Sequence, residues 1–143
     1  MSECWNFFRY ASIKEVDEII SIMRSYENLF AHVQDKIIYE KIKKKECIFE
    51  SGVLITFSLN SENATLGNYK VPAGKTILEQ IAKKNLSIKS SFVEHVFTKF
   101  VNCALGEVYL AVSEKNYRAI KFYERMNMIK IAETKLDQSK QQG

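Results

Sequence analysis

The two histidines of this chain, His32 and His95, lie far apart and form no HxH or HExxH pattern, so a metal centre built on paired imidazoles is not expected. Cys4, Cys47 and Cys103 are three in number and widely spaced. That suits neither zinc-ligand spacing nor a disulfide framework, and reduced thiols in a cytosol are the expectation. The run Glu40–Glu46, EKIKKKE, concentrates four lysines that can meet nucleic-acid phosphate, although at helical spacing such a run is ordinarily the wet face of a helix. His32 is of the side-chain type that can take a proton from an amine. Glu79 and Gln80 lie next to each other on a strand-like stretch and are expected on opposite faces of it.

These groups must be positioned by the elements around them. Trp5–Tyr10 reads as a first strand. Ser12-x-x-Glu15 is a capping box, followed by Ile13, Val16, Ile19, Ile20 and Met23 at helical spacing. A second amphipathic helix is expected over Asp35–Lys45, with Ile37, Ile38 and Ile42 on one side. Cys47–Glu50 and Val53–Leu59 are β-type runs joined by Ser51-Gly52, a turn pair suited to a hairpin. Ser61–Gly74 reads as a polar loop and Thr76–Ala82 as a strand. Ser91-x-x-Glu94 is a second capping box, opening a helix that buries Phe92, Val93, Val96, Phe97, Phe100 and Val101. Gly106 ends that connection. Val108–Val112 reads as a strand buried on both faces, Arg118–Met126 as a helix and Ile129–Ala132 as a last strand.

The resulting order, β-α-α-β-β-β-α-β-α-β, describes an α/β chain (α+β mixed sheet) with helices on both faces. The 143 residues suit one domain, residues 1–134, with a polar tail over 135–143 expected to be disordered. No stretch approaches the roughly 20 apolar residues of a membrane span. The N-terminal MSECWNFFRY lacks the pattern of a signal peptide, so a cytoplasmic protein is expected. A net charge of +4 tolerates an anionic ligand without requiring one.

The segment VYLAVSEKNYRAIKFYERMNM, Val108–Met128, resembles the C-terminal acetyl-coenzyme A motif of the GCN5-related N-acetyltransferases. Val112, Asn116, Ala119, Phe122, Tyr123 and Glu124 fall in register with the family pattern, with Arg125 in place of a lysine. The residues agree physically: Asn116 is a good N-cap, and Asn127, standing where the family has glycine, is the second choice for a left-handed C-terminal cap.

The resemblance implies acetyl-coenzyme A as co-substrate, an amine as acceptor, and direct attack of the amine on the thioester. It implies Tyr123 as the acid that returns a proton to the leaving thiolate, Glu79 as a base acting through water, and His32 in the region lining the acceptor site. Cofactor contacts are implied at Ala82, Asn116, Ala119 and Tyr123, and at the loop Lys84-Asn85-Leu86-Ser87-Ile88-Lys89-Ser90. That loop departs from the family: Ser87 and Lys89 stand where glycines would let backbone N–H groups approach the pyrophosphate. Lys84, Ser87, Lys89 and Ser90 would then contact phosphate through their side chains. The family's seventh strand is missing, since ETKLDQSKQQG after Ala132 is too polar to form one. Such a chain is truncated, degenerate, or completed by a partner, for instance as a homodimer.

The string HVQDKIIYEKIKKKECIFESGVLITF is also similar to small acetyltransferase-like proteins carried by phages and mobile elements, relatives of which modify DNA bases. Two alternatives to amine acetylation therefore stand. One is a catalytically degenerate domain of this fold that binds protein or nucleic acid. The other is a nucleobase-modifying enzyme.

Overall fold

The computed structural model describes residues 3–26, 33–59, 62–104 and 107–133. Helices α1 (Val16–Arg24) and α2 (Asp35–Lys43) precede strands β1 (Cys47–Glu50), β2 (Val53–Leu59), β3 (Ala64–Leu66), β4 (Tyr69–Val71) and β5 (Thr76–Lys83). Helix α3 (Ser90–Cys103), strand β6 (Val108–Tyr109) and helix α4 (Tyr117–Arg125) follow. The main sheet has the order β1-β2-β5-β6, antiparallel except for the parallel pair β5/β6, and β3 with β4 forms a separate ribbon. The mixed α/β class is thus as expected. Among the described residues no helix is long and apolar enough to cross a membrane.

The layers follow from strand alternation. In β1 and β2, Ile48, Val53, Ile55 and Phe57 point into a cluster with Val96, Phe97 and Phe100 of α3. Cys47, Phe49 and Leu54 point the other way, onto Ile19, Ile22 and Met23 of α1 and Ile38 and Ile42 of α2. Val53 to Phe57 are all buried because both faces of β2 are covered. Val53, Leu54, Ile55 and Phe57 each contribute about 1.5–3 kcal/mol on burial. The hairpin turn forms at Ser51-Gly52, both residues with positive φ (53° and 77°), as its two-residue length requires.

The N-terminal segment is not a strand. Glu3–Phe7 is a 3-10 helix, which puts Trp5 and Phe8 in the core and leaves Phe7 73% exposed. Trp5 stacks on Phe57 (5.3 Å between centroids) and meets Phe100 edge-on (5.6 Å), contacts that a period-2 segment would break. Only residues 9–11 run along β1, through Phe49 N–H to Arg9 O and Ala11 N–H to Cys47 O, both 2.9 Å. The expectation of three reduced thiols is also corrected. Cys4 is bonded to Cys103 at the end of α3, with their Cα atoms 5.5 Å apart, and only Cys47 is free.

Further differences lie in the second half. The expected loop over 61–74 contains the β3–β4 ribbon, turned at Gly67, whose φ of 59° lets the chain reverse. Helix α3 begins at Ser90 with Lys89 at its N-cap, and no side chain caps it. Glu94 does not close a box with Ser91, because Ser91 already lies inside the helix; the Glu94 carboxylate meets Arg125 of α4 at 3.3 Å. Phe92 is exposed, while Val96, Phe97, Phe100 and Cys103 form the buried face. Strand β6 stops at Tyr109, and Val112 is exposed rather than buried on both faces. Residues Ile129–Ala132 are not a strand: Ile129 and Ile131 are 82% and 61% exposed. The sheet edge nearest in sequence, β6, is two residues long and too short to recruit them. The observed order among the described residues is therefore α-α-β-β-β-β-β-α-β-α. Gly106 and the tail 135–143 lie outside the described residues.

Candidate functional site

The site is built around one extra residue in β5. In the pairing with β2, Gln80 faces Thr56, but the next pair is Leu78 with Phe57, so Glu79 is a bulge without a partner. The bulge reverses the alternation. Glu79 and Gln80, expected on opposite faces, line the same cleft on the side of α1 and α2. β5 pairs with β6 only at Thr76↔Val108 and Ile77↔Tyr109, and the two parallel strands part just before the bulge.

Helix α2 supplies the cation of this site. Its C-terminus ends in a left-handed turn: Lys45 has φ 58°, Lys45 N–H bonds Ile42 O (3.1 Å) and Glu46 N–H bonds Lys41 O (2.9 Å). That turn swings Glu46 back beside Lys41. The Lys41 ammonium lies 2.8 Å from Glu79 Oε1, 3.3 Å from Glu46 Oε1, 2.7 Å from Ser58 Oγ and 2.8 Å from the Phe57 carbonyl. The Ser58 hydroxyl donates to Glu79 Oε2 at 2.8 Å. The Thr56 hydroxyl donates to Gln80 Oε1, and both residues line the cleft.

Two clefts share Glu79. One, of about 410 Å³, has an apolar wall of Met23, Val33, Ile37 and Ile38 and a polar wall of Gln34, Lys41, Thr56, Glu79 and Gln80. The other, of about 370 Å³, lies between Ser58, Leu78, Glu79, the β3 ribbon and Ala111, which follows β6. The stacking of Tyr69 on Tyr109, 6.3 Å between centroids, ties that ribbon to β6.

The loop leaving β5 turns inward. Lys84 N–H bonds Gly52 O at 2.7 Å, and its ammonium pairs with Glu18 at 2.9 Å. Ser87 gives both its N–H and its hydroxyl to Asn85 Oδ1. Ile88 lies so close over the hairpin that a Cβ on Gly52 would come within 2.4 Å of it. Lys89 is the N-cap of α3, and Ser90 opens the helix. Ala82 is buried against α1, with its side chain in the core rather than toward a ligand.

Helix α4 behaves as its ends require. Asn116 Oδ1 accepts from Ala119 N–H at 3.2 Å. Asn127 takes φ 67°, with Asn127 N–H to Glu124 O (3.0 Å) and Met128 N–H to Tyr123 O (2.9 Å). The Tyr123 ring packs against Phe97 (5.9 Å) and Phe122 (5.4 Å). Burial pushes its phenol up to about 12. Tyr123 lines neither cleft, so the structure does not bring it to Glu79. His32 lies outside the described residues.

Compared with protein-family models and with curated proteins, the chain matches none.

Lys41, Glu46, Ser58 and Thr56 were not evident as site residues from the sequence. Lys41 carried a usable signal: it stands three residues after Ile38 and next to Ile42, on the buried stripe of α2 rather than its wet face.

Proposed function

We propose that this chain is an N-acyltransferase that moves an acetyl group from acetyl-coenzyme A to an amine. The observation that carries the reading is the parting of β5 from β6 beside a bulged carboxylate that two clefts share. A two-substrate transfer needs such a place. The acyl donor can lie along the gap, where no strand among the described residues pairs with the outer edge of β5 beyond Ile77. The acceptor can enter from the α1/α2 side.

In direct transfer the amine nitrogen bonds to the thioester carbon, the carbon–sulfur bond breaks, and the nitrogen gives up a proton. Backbone N–H groups on the open edge of β5 suit the developing oxyanion. Glu79 keeps lone pairs beyond those engaged by Lys41 and Ser58, and these can take the amine proton. The first-turn N–H groups of α3, which no side chain caps, suit a pyrophosphate, with Lys89 beside them. Tyr123 fits the acid role poorly. A phenol at about 12 would protonate a thiolate of pKa near 8.5 against a gradient of roughly 5 kcal/mol. In this reading Tyr123 is a packing residue, and the thiolate takes its proton from solvent.

The test is a melting experiment with acetyl-coenzyme A, followed by turnover with an amine. Acetyl-coenzyme A should raise the melting temperature in a concentration-dependent way. Glu79→Gln should keep that rise while turnover drops about 10²–10⁴-fold, and Tyr123→Phe should stay within a few-fold of the native rate. A folded chain with no response to millimolar acetyl-coenzyme A sinks the reading.

The inward-turned loop, with Lys84 committed to Glu18 and Ser87 to Asn85, favours a second reading: a non-catalytic binding domain for protein or nucleic acid. Salt-sensitive binding of DNA or RNA, without a coenzyme A response, would support it.

A further inference from the structure

The charge balance and walls of the α1/α2 cleft narrow the acceptor class, an inference that rests on the transferase reading only in calling its ligand an acceptor. We propose that this cleft takes a monocationic amine with an apolar body, such as an arylalkylamine, and refuses polyamines.

The selection is electrostatic. Among the described residues Glu79 is the one carboxylate that lines the cleft, and Glu46 stands behind it. Lys41 sits between them, 2.8 Å from one and 3.3 Å from the other, so the three groups sum to a single negative charge. That balances one ammonium. The Lys41 side chain is only 14% exposed and makes two further contacts, to Ser58 Oγ and Phe57 O, so it is fixed in place. Among the rest of the described lining, Gln34, Thr56 and Gln80 carry no charge, and the apolar wall of Met23, Val33, Ile37 and Ile38 offers no acceptor for a second ammonium. A second or third ammonium would have to shed water against that wall without a partner, which is unfavourable. The same wall welcomes a ring or alkyl chain, and Ile37, 43% exposed, gives it an apolar lip.

The experiment measures binding of phenethylamine and spermidine to the full chain by calorimetry, without acetyl-coenzyme A. Phenethylamine should bind and spermidine should bind at least about tenfold more weakly. Glu79→Gln should weaken phenethylamine at least about tenfold, through the lost charged hydrogen bond. Lys41→Met keeps the apolar stem and raises the cleft charge to two negatives, so it should gain spermidine binding; where it melts below the assay temperature, Glu79→Gln alone decides. Equal or tighter spermidine binding by the native chain, no binding of phenethylamine, or indifference to Glu79→Gln overturns the proposal. Phenethylamine that binds in this pattern but is not acetylated when acetyl-coenzyme A is added leaves the amine site standing and removes the transferase reading.

Discussion

Reducing the Cys4–Cys103 bond should lower stability by an amount set mainly by the length of chain it closes. The two residues are 99 apart in sequence. In the chain-entropy account a loop of about that length is worth up to about 4.7 kcal/mol, and disulfides commonly return about 2–4 kcal/mol. For a chain of 143 residues, the unfolding entropy is about 0.3 kcal/mol per kelvin. The expected fall in melting temperature is therefore about 7–16 °C. Cys103 is 5% exposed and sits in the main apolar cluster with Trp5 and Phe8, so reduction leaves the packing atoms in place and the loss is chiefly one of constraint. The assay is a melt with and without reductant, with Cys103→Ser as a variant that reductant cannot further affect. Thiol counting under denaturing, non-reducing conditions should find Cys47 alone reactive. Three reactive thiols, or a native melt that reductant does not move, would refute the reasoning.

Gly52→Ala should cost about 1–3 kcal/mol, because φ of 77° strains any side chain and the new Cβ would meet Ile88 at 2.4 Å. Gly74→Ala, at φ 86° with nothing within 4 Å, isolates the backbone part and should cost about 1 kcal/mol in the same denaturant titration. Alkaline pH should destabilise the fold. Burial pushes Cys47 from 9.0 and Tyr123 from 10.0 up to about 12 each. Both are neutral in the folded and unfolded chain below pH 9, so stability is fully present there. Above it the unfolded chain loses protons first, and stability falls as pH rises toward 12, by up to about 1.4 kcal/mol per unit for each group. Denaturant midpoints at about pH 8 and about pH 10.5 should differ, and Cys47→Ala should remove most of the difference; a flat profile in the native chain would contradict the burial of these groups.

The sequence was most readable where local chemistry decides. Ser51-Gly52, the strand at Thr76, the cap at Asn116 and the left-handed turn at Asn127 each follow from one or two residues, and each is where it was expected. The disulfide joins residues 99 apart, and no local pattern reports it. The N-terminal segment reads as a strand from its aromatics at positions 5, 7, 8 and 10, and it is a 3-10 helix instead because the bond at Cys4 and the stacking of Trp5 on Phe57 are made with distant residues. The β3–β4 ribbon had a turn signal in Gly67-Asn68 that its polar surroundings concealed. The site itself was hardest to see. Glu79 was singled out, but its direction depends on a bulge set by pairing with β2, and its partner Lys41 arrives from another layer.

Because Glu79 is surplus to the strand ladder, its side chain carries no share of the register that holds β2 and β5 together. Substituting it rewrites the chemistry of the clefts while the flanking pairs at Leu78 and Gln80 keep the sheet aligned. Removing the residue altogether would close the bulge: Leu78 and Gln80 would become neighbours opposite Phe57 and Thr56, their pairs and faces unchanged, and only the carboxylate would be lost. The position is thus free to vary, which lets a catalytic or binding group be exchanged without the scaffold having to be refolded around it.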